Sequence, residues 1–142
     1  RVALSNIFGL TTMGADVMIC GPSTLMPPHI EKLGVKVSYD MDEVVDWADA
    51  VNILRIQLER MGTGLYPSIR EYRELFGLSV ERIKRHSKDL VVMHPGPMNR
   101  GTEIDSAVAD SDRAIILDQV LNGVASRMAI LYLLLGGKME EN

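Results

Sequence analysis

Val91-Val92-Met93-His94-Pro95-Gly96-Pro97-Met98-Asn99-Arg100-Gly101-Thr102-Glu103-Ile104 is the stretch whose reading decides the fold. The apolar residues 90–93 read as a buried parallel strand. The strand stops at His94, because two prolines around Gly96 cannot continue it: proline lacks the amide donor and fixes its own φ. The chain therefore leaves the sheet at its carboxyl end on a stiff loop, which is where open α/β sheets bind ligands. That loop carries His94, Asn99, Arg100 and Glu103 close together. Taken alone, it fits a ligand loop and a rigid turn with incidental polar residues equally well.

Working outward, short strand patterns alternate with helical ones. Residues 16–20, 35–39, 50–54 and 90–93 read as strands, with a further strand-like run at 114–117. Residues 2–13 carry a helical stripe ended by Gly14. Residues 29–33 form a short helix after Pro27-Pro28, and 41–48 a helix that Asp40 can cap. Residues 68–76 and 80–86 are polar helices, the second capped by Ser79, and 105–109 a helical turn. Residues 118–135 form a long helix with apolar positions at 120, 121, 124, 128, 131 and 135. This alternation implies βαβ units: a doubly wound, mostly parallel sheet with helices on both faces, in three layers. Such a domain normally begins with a strand and this chain begins with a helix, so the first strand is expected to be lacking.

Composition sets bounds. The chain has 142 residues, 46% hydrophobic and 24% charged, with a net charge of −4. That suffices for one domain with a core and gives no electrostatic case for nucleic acid. No apolar run reaches the ~20 residues of a membrane span. Cys20 is the lone cysteine, so no internal disulfide is possible, which fits a reducing cytoplasm. It closes an apolar run and reads as a small core residue, as Trp47 and the methionines read as core filler. The cationic residues 82, 84 and 85 read as a solvated helix face, and His29 and His86 as solvated. For His94 the structural role ranks above the catalytic one, since no cysteine or carboxylate adjoins it.

A second constellation, Leu54-Arg55-Ile56-Gln57-Leu58-Glu59-Arg60, also leaves the carboxyl end of a strand. In extended chain Arg55 and Gln57 share a side. A guanidinium grips a carboxylate with two parallel hydrogen bonds, and an amide adds a third. Glu59 can hold an arginine in place. Residues 58–77 then form the longest irregular stretch. Gly62, Gly64 and Pro67 lie within it, and the expectation is a mobile lid over residues 61–67 that ligand orders.

Five segments in order make the reading specific: RVALSN at the start, CGPSTLMP at 20–27, LRIQLER at 54–60, HPGPMNRGTEI at 94–104 and NGVASRMAIL at 122–131. Together they resemble the C-terminal, aspartate-binding half of aspartate carbamoyltransferase, over nearly the whole chain. The resemblance implies one domain, residues 1–137, a tail at 138–142, and a carbamoyl-phosphate domain that is absent here. It implies carbamoyl transfer from carbamoyl phosphate to L-aspartate in pyrimidine synthesis. It further implies no metal or organic cofactor, a cytoplasmic location and homotrimers of full-length chains.

By the same resemblance, Arg1 binds the aspartate α-carboxylate and Arg55 and Gln57 grip aspartate from a mobile loop. Glu59 and Arg60 brace that loop. The backbone carbonyls of Pro95 and Gly96 face the amino group and the carbamoyl moiety, and are the catalytic positions. Leu4 departs from the pattern of many bacterial members, which have arginine there. Two other readings stay open. One is ornithine carbamoyltransferase, whose loop has His-Cys-Leu-Pro where this chain has His94-Pro95-Gly96-Pro97. The other is a non-catalytic amino-acid-binding or assembly domain of this fold.

Overall fold

The computed structural model describes residues 1–57, 68–86 and 89–136. The expected strands form, each three residues long: β1 (Met18–Cys20), β2 (Lys36–Ser38), β3 (Ala50–Asn52) and β4 (Val91–Met93). The helices are α1 (Val2–Thr12), α2 (Met41–Trp47), α3 (Ile69–Phe76), α4 (Val80–Arg85), α5 (Ser106–Ala109) and α6 (Ile116–Leu134). Their ends follow local chemistry. The Asp40 carboxylate accepts the Asp42 amide at α2, and the Ser68 and Ser79 hydroxyls accept the Glu71 and Arg82 amides at α3 and α4. Each satisfies an amide that the first turn leaves without a partner. Gly14, at φ 83°, ends α1 as its position in the sequence predicts.

The strands pair in two parallel sets. Met18, Ile19 and Cys20 of β1 face Lys36, Val37 and Ser38 of β2. Ala50, Val51 and Asn52 of β3 face Val91, Val92 and Met93 of β4. Both sets share one core, since Met18 and Cys20 pack on the cluster that holds Val51 and Val92. In the doubly wound order 3-2-1-4-5, the first strand lies between two such pairs. The architecture is thus an α/β fold lacking its first strand. A smaller cluster of Ile7, Ile30 and Val35 seats α1 on the β1–β2 side.

Four readings change. Residues 114–117 do not form a strand: Ala114 makes one bridge to Val92, and α6 starts at Ile116. The helix at 29–33 is a 3₁₀ turn, Ile30–Leu33, entered through His29 in the left-handed region at φ 62°. Arg82 is not on a solvated face. It is 6% exposed and its guanidinium reaches the carbonyls that end α3. His86 is not simply solvated, for it sits half-buried between Asp42 and Asp46. The stripe on α6 is present, but Leu121, Val124, Met128, Leu131 and Leu135 are all exposed in this chain, with Ile116 its buried anchor.

Candidate active site

Because β3 and β4 run side by side and parallel, the loops leaving their carboxyl ends open on the same edge. The first continues from β3 in extended form: the Ile53 amide still donates to the Met93 carbonyl at 2.9 Å. Ile56 is buried while Arg55 is partly exposed and Gln57 exposed. That alternation fits the shared side expected of Arg55 and Gln57. The second loop begins at His94, whose amide donates to Gln119 Oε1 at the start of α6, 2.8 Å away. Pro95 and Gly96 are partly buried at the mouth. Gly96 takes φ 65°, a conformation that glycine adopts without strain, and the Gly96–Pro97 peptide is cis.

One side chain joins the two loops. Asn99 Nδ2 donates to the carbonyl of Ile56 at 3.0 Å, between Arg55 and Gln57. Asn99 is itself held by its backbone amide, which donates to Glu103 Oε1. The Glu103 carbonyl accepts the Leu78 amide at 2.9 Å, fixing the loop to the core. Arg100 turns outward and makes two 2.8 Å hydrogen bonds with Asp110. So the structure brings Pro95, Gly96, Arg55 and Gln57 to one edge. Arg1 lies exposed at the start of α1, on the smaller cluster's side. Glu59, Arg60, the stretch 61–67 and the tail lie outside the described residues.

His94 and Glu103 are the residues that sequence reading undervalued. Both are 0% exposed, and Nε2 lies 3.4 Å from Glu103 Oε1. The two atoms are not aligned for a hydrogen bond, and His94 Nε2 and Glu103 Oε2 have no such partner among the described residues. His94 Nδ1 accepts the Gly96 amide at 2.9 Å, which assigns the ring proton to Nε2. Burial lowers the His94 pKa below its ordinary 6.5, against the opposing charge of Glu103. A neutral imidazole follows at neutral pH. The available signal was spacing: a polar residue four after Asn99, just before the apolar Ile104.

No activated nucleophile is evident at this edge among the described residues. Burial, followed by the nearby Asp40, pushes the Cys20 thiol up to about 11, so it holds its proton. Among the described residues no group of three His, Cys, Asp or Glu is placed to hold a metal ion, and no helix is long and apolar enough to cross a membrane. What the edge brings together is an arginine, a glutamine and the Pro95-Gly96 backbone.

The family model described as the Asp/Orn-binding domain of aspartate/ornithine carbamoyltransferase matches residues 1–134. This chain belongs to the aspartate/ornithine carbamoyltransferase family. The aspartate carbamoyltransferase catalytic subunit of Heliobacterium modesticaldum is 61% identical over 137 residues, covering 96% of this chain and 44% of that one. That of Gemmatimonas aurantiaca is 57% identical over 140 residues, covering 99% and 44%. The carbamoyltransferase domain described here thus spans less than half the length of these relatives. Among solved structures, aspartate transcarbamoylase from Trypanosoma cruzi, in complex with carbamoyl phosphate, aligns at TM-score 0.66 and 26% identity, over 82% of this chain and 39% of that one. Ornithine carbamoyltransferase from Gloeobacter violaceus aligns at TM-score 0.74 and 18% identity, over 91% and 46%, and supports the fold alone.

Proposed function

We propose that this chain is the aspartate-binding half of an aspartate carbamoyltransferase catalytic chain. The whole protein would convert carbamoyl phosphate and L-aspartate to N-carbamoyl-L-aspartate and phosphate, in pyrimidine synthesis. The observation that carries the reading is the Asn99–Ile56 tie, which sets Arg55 and Gln57 beside the Pro95-Gly96 loop. The 57–61% identity to aspartate carbamoyltransferase catalytic subunits supports the choice of acceptor.

In this reading Arg1 and Arg55 hold the two aspartate carboxylates and Gln57 adds an amide donor. Neither guanidinium has to lose a proton to do so. The carbonyls of Pro95 and Gly96 accept hydrogen bonds from the amine, turning its lone pair toward the carbamoyl carbon. The nitrogen–carbon bond forms, the carbon–oxygen bond to phosphate breaks, and phosphate leaves with the electron pair while the nitrogen sheds a proton. Orientation supplies most of the acceleration. Glu59 and Arg60 brace the loop that closes over the substrate. Carbamoyl phosphate is held by the other half of the full-length chain, and full-length chains assemble as cytoplasmic homotrimers.

Ornithine is the weaker acceptor reading, because its side-chain ammonium has no use for Arg55. A full-length chain supplied with carbamoyl phosphate and either amino acid tests the choice. Carbamoyl-aspartate is the expected product. Citrulline from ornithine, with no aspartate turnover, overturns the assignment. The 142-residue segment alone is expected to be inactive, and turnover by it would refute the split between the two halves.

A further inference from the structure

We propose that the buried His94–Glu103 pair is a positioning device that holds the two substrate-facing loops in register. The proposal rests on the functional reading above and adds residues that reading does not use.

The argument starts from cost. Two titratable side chains, both 0% exposed, are expensive to bury, and an apolar pair of similar volume is commonly as stable. One polar atom on each is left without a hydrogen-bond partner among the described residues. A role in packing alone leaves that arrangement unexplained. What the pair provides is a grip on backbone. Once the chain leaves β4, its amides have no strand to pair with. His94 Nδ1 takes the Gly96 amide at 2.9 Å, and Glu103 Oε1 takes the Asn99 amide. The first contact fixes the Pro95–Gly96 peptide plane and with it the direction of the Pro95 carbonyl. The second places the Asn99 side chain, whose 3.0 Å bond to Ile56 sets the chain between Arg55 and Gln57. Gln119 secures the His94 amide from α6. Five residues thus link the carbonyls that orient the amine to the side chains that hold the carboxylates.

These are positioning residues, since neither touches substrate. Their loss should misplace aspartate far more than carbamoyl phosphate, which in the functional reading is held mainly by the other half of the full-length chain. Misplacement of reacting groups by about 1 Å costs on the order of a hundredfold in rate.

The test uses the full-length chain, with kcat, the KM of each substrate and the urea midpoint measured on every variant. Glu103→Ala and His94→Ala should lower kcat/KM for aspartate roughly tenfold to a hundredfold, with a much smaller change in the KM for carbamoyl phosphate. Glu103→Gln keeps an acceptor for the Asn99 amide, and His94→Asn keeps one for the Gly96 amide. Both should recover most of the loss. Asn99→Ala leaves the buried pair intact and keeps the test open where an alanine variant of the pair fails to fold. It should raise the aspartate KM, and combined with Glu103→Ala its effect should be non-additive. Unchanged kinetics in the Ala variants, or in Asn99→Ala, overturn the proposal. So does a loss shared equally by both substrates, tracking the urea midpoint and not recovered by Gln or Asn. A wild-type chain that carbamoylates no aspartate refutes the functional reading instead, and the two failures are distinct.

Discussion

Arg82 Nη1 donates to the carbonyl oxygen of Gly77 at 2.8 Å. The same guanidinium takes the carbonyls of Leu75 and Glu74 at 3.2 and 3.1 Å, and its Nε meets Asp42 at 2.9 Å. One side chain from α4 thus satisfies the carbonyl end of α3, where the last turn lacks intrahelical donors. Arg82→Ala should destabilise the protein by at least about 2 kcal/mol, since a buried polar group left without its partner costs roughly 1–3 kcal/mol. Arg82→Lys should recover little, because an ammonium lacks the planar fork. Urea unfolding of both variants measures this, and a Lys variant as stable as wild type would refute it.

Gly77 is needed for closeness rather than for φ, which is −67°. A Cβ there would lie 2.6 Å from the Arg73 carbonyl oxygen and 2.9 Å from that of Thr102, both backbone atoms. Neither can rotate away. Gly77→Ala should cost about 1–3 kcal/mol through overpacking, with the Thr102 side of the candidate-site loop displaced. The expected result is a lower urea midpoint together with a higher aspartate KM. An Ala variant of wild-type stability would show that the two segments can separate freely.

His86 bonds Asp46 and Asp42, which raise its pKa above 6.5. At Asp42 burial works upward but is outweighed, by its hydrogen bond to His86 and then by the charges of Arg82 and Arg85, so its pKa is lowered. A raised histidine pKa adds stability that is fully present below about 6.5 and fades as pH climbs through the raised value. The Asp42 contribution is present above its ordinary 3.8 and is lost as pH falls through its lowered pKa. The stability difference between wild type and His86→Gln should therefore be larger at about pH 5.5 than at about pH 8.5. Thermal melts at both values test this, and a difference that grows with pH would reverse the sign.

Arg55 sits partly buried at the shared loop edge, one residue from the carbonyl that Asn99 holds. Arg55→Ala in a full-length chain should reduce kcat/KM for aspartate by about 2–5 kcal/mol, the range for removing one partner of a hydrogen-bonded charge pair. Carbamoyl phosphate binding should change little. Steady-state kinetics with each substrate varied in turn decides it, and an equal loss for both would count against an aspartate-gripping role.

Local chemistry determined what the sequence could reveal alone. Caps at Asp40 and Ser79, the stop at Gly14, four strands within two residues of their ends and the stiff exit at Pro95 all follow from near neighbours in the chain. The family followed from motifs that are likewise contiguous. Tertiary structure alone decided which polar residues face inward. Arg82 shares its helix face pattern with Lys84 and Arg85, yet it is buried because residues 74–77 bring three carbonyls to it. His94 and Glu103 look like loop residues, yet both are fully buried, with backbone-amide bonds from His94 to Gln119 and from Leu78 to Glu103 tying their loop to the core. The decisive Asn99–Ile56 bond spans 43 residues of sequence. No periodicity encodes such a pair, because it exists only once β3 and β4 lie side by side.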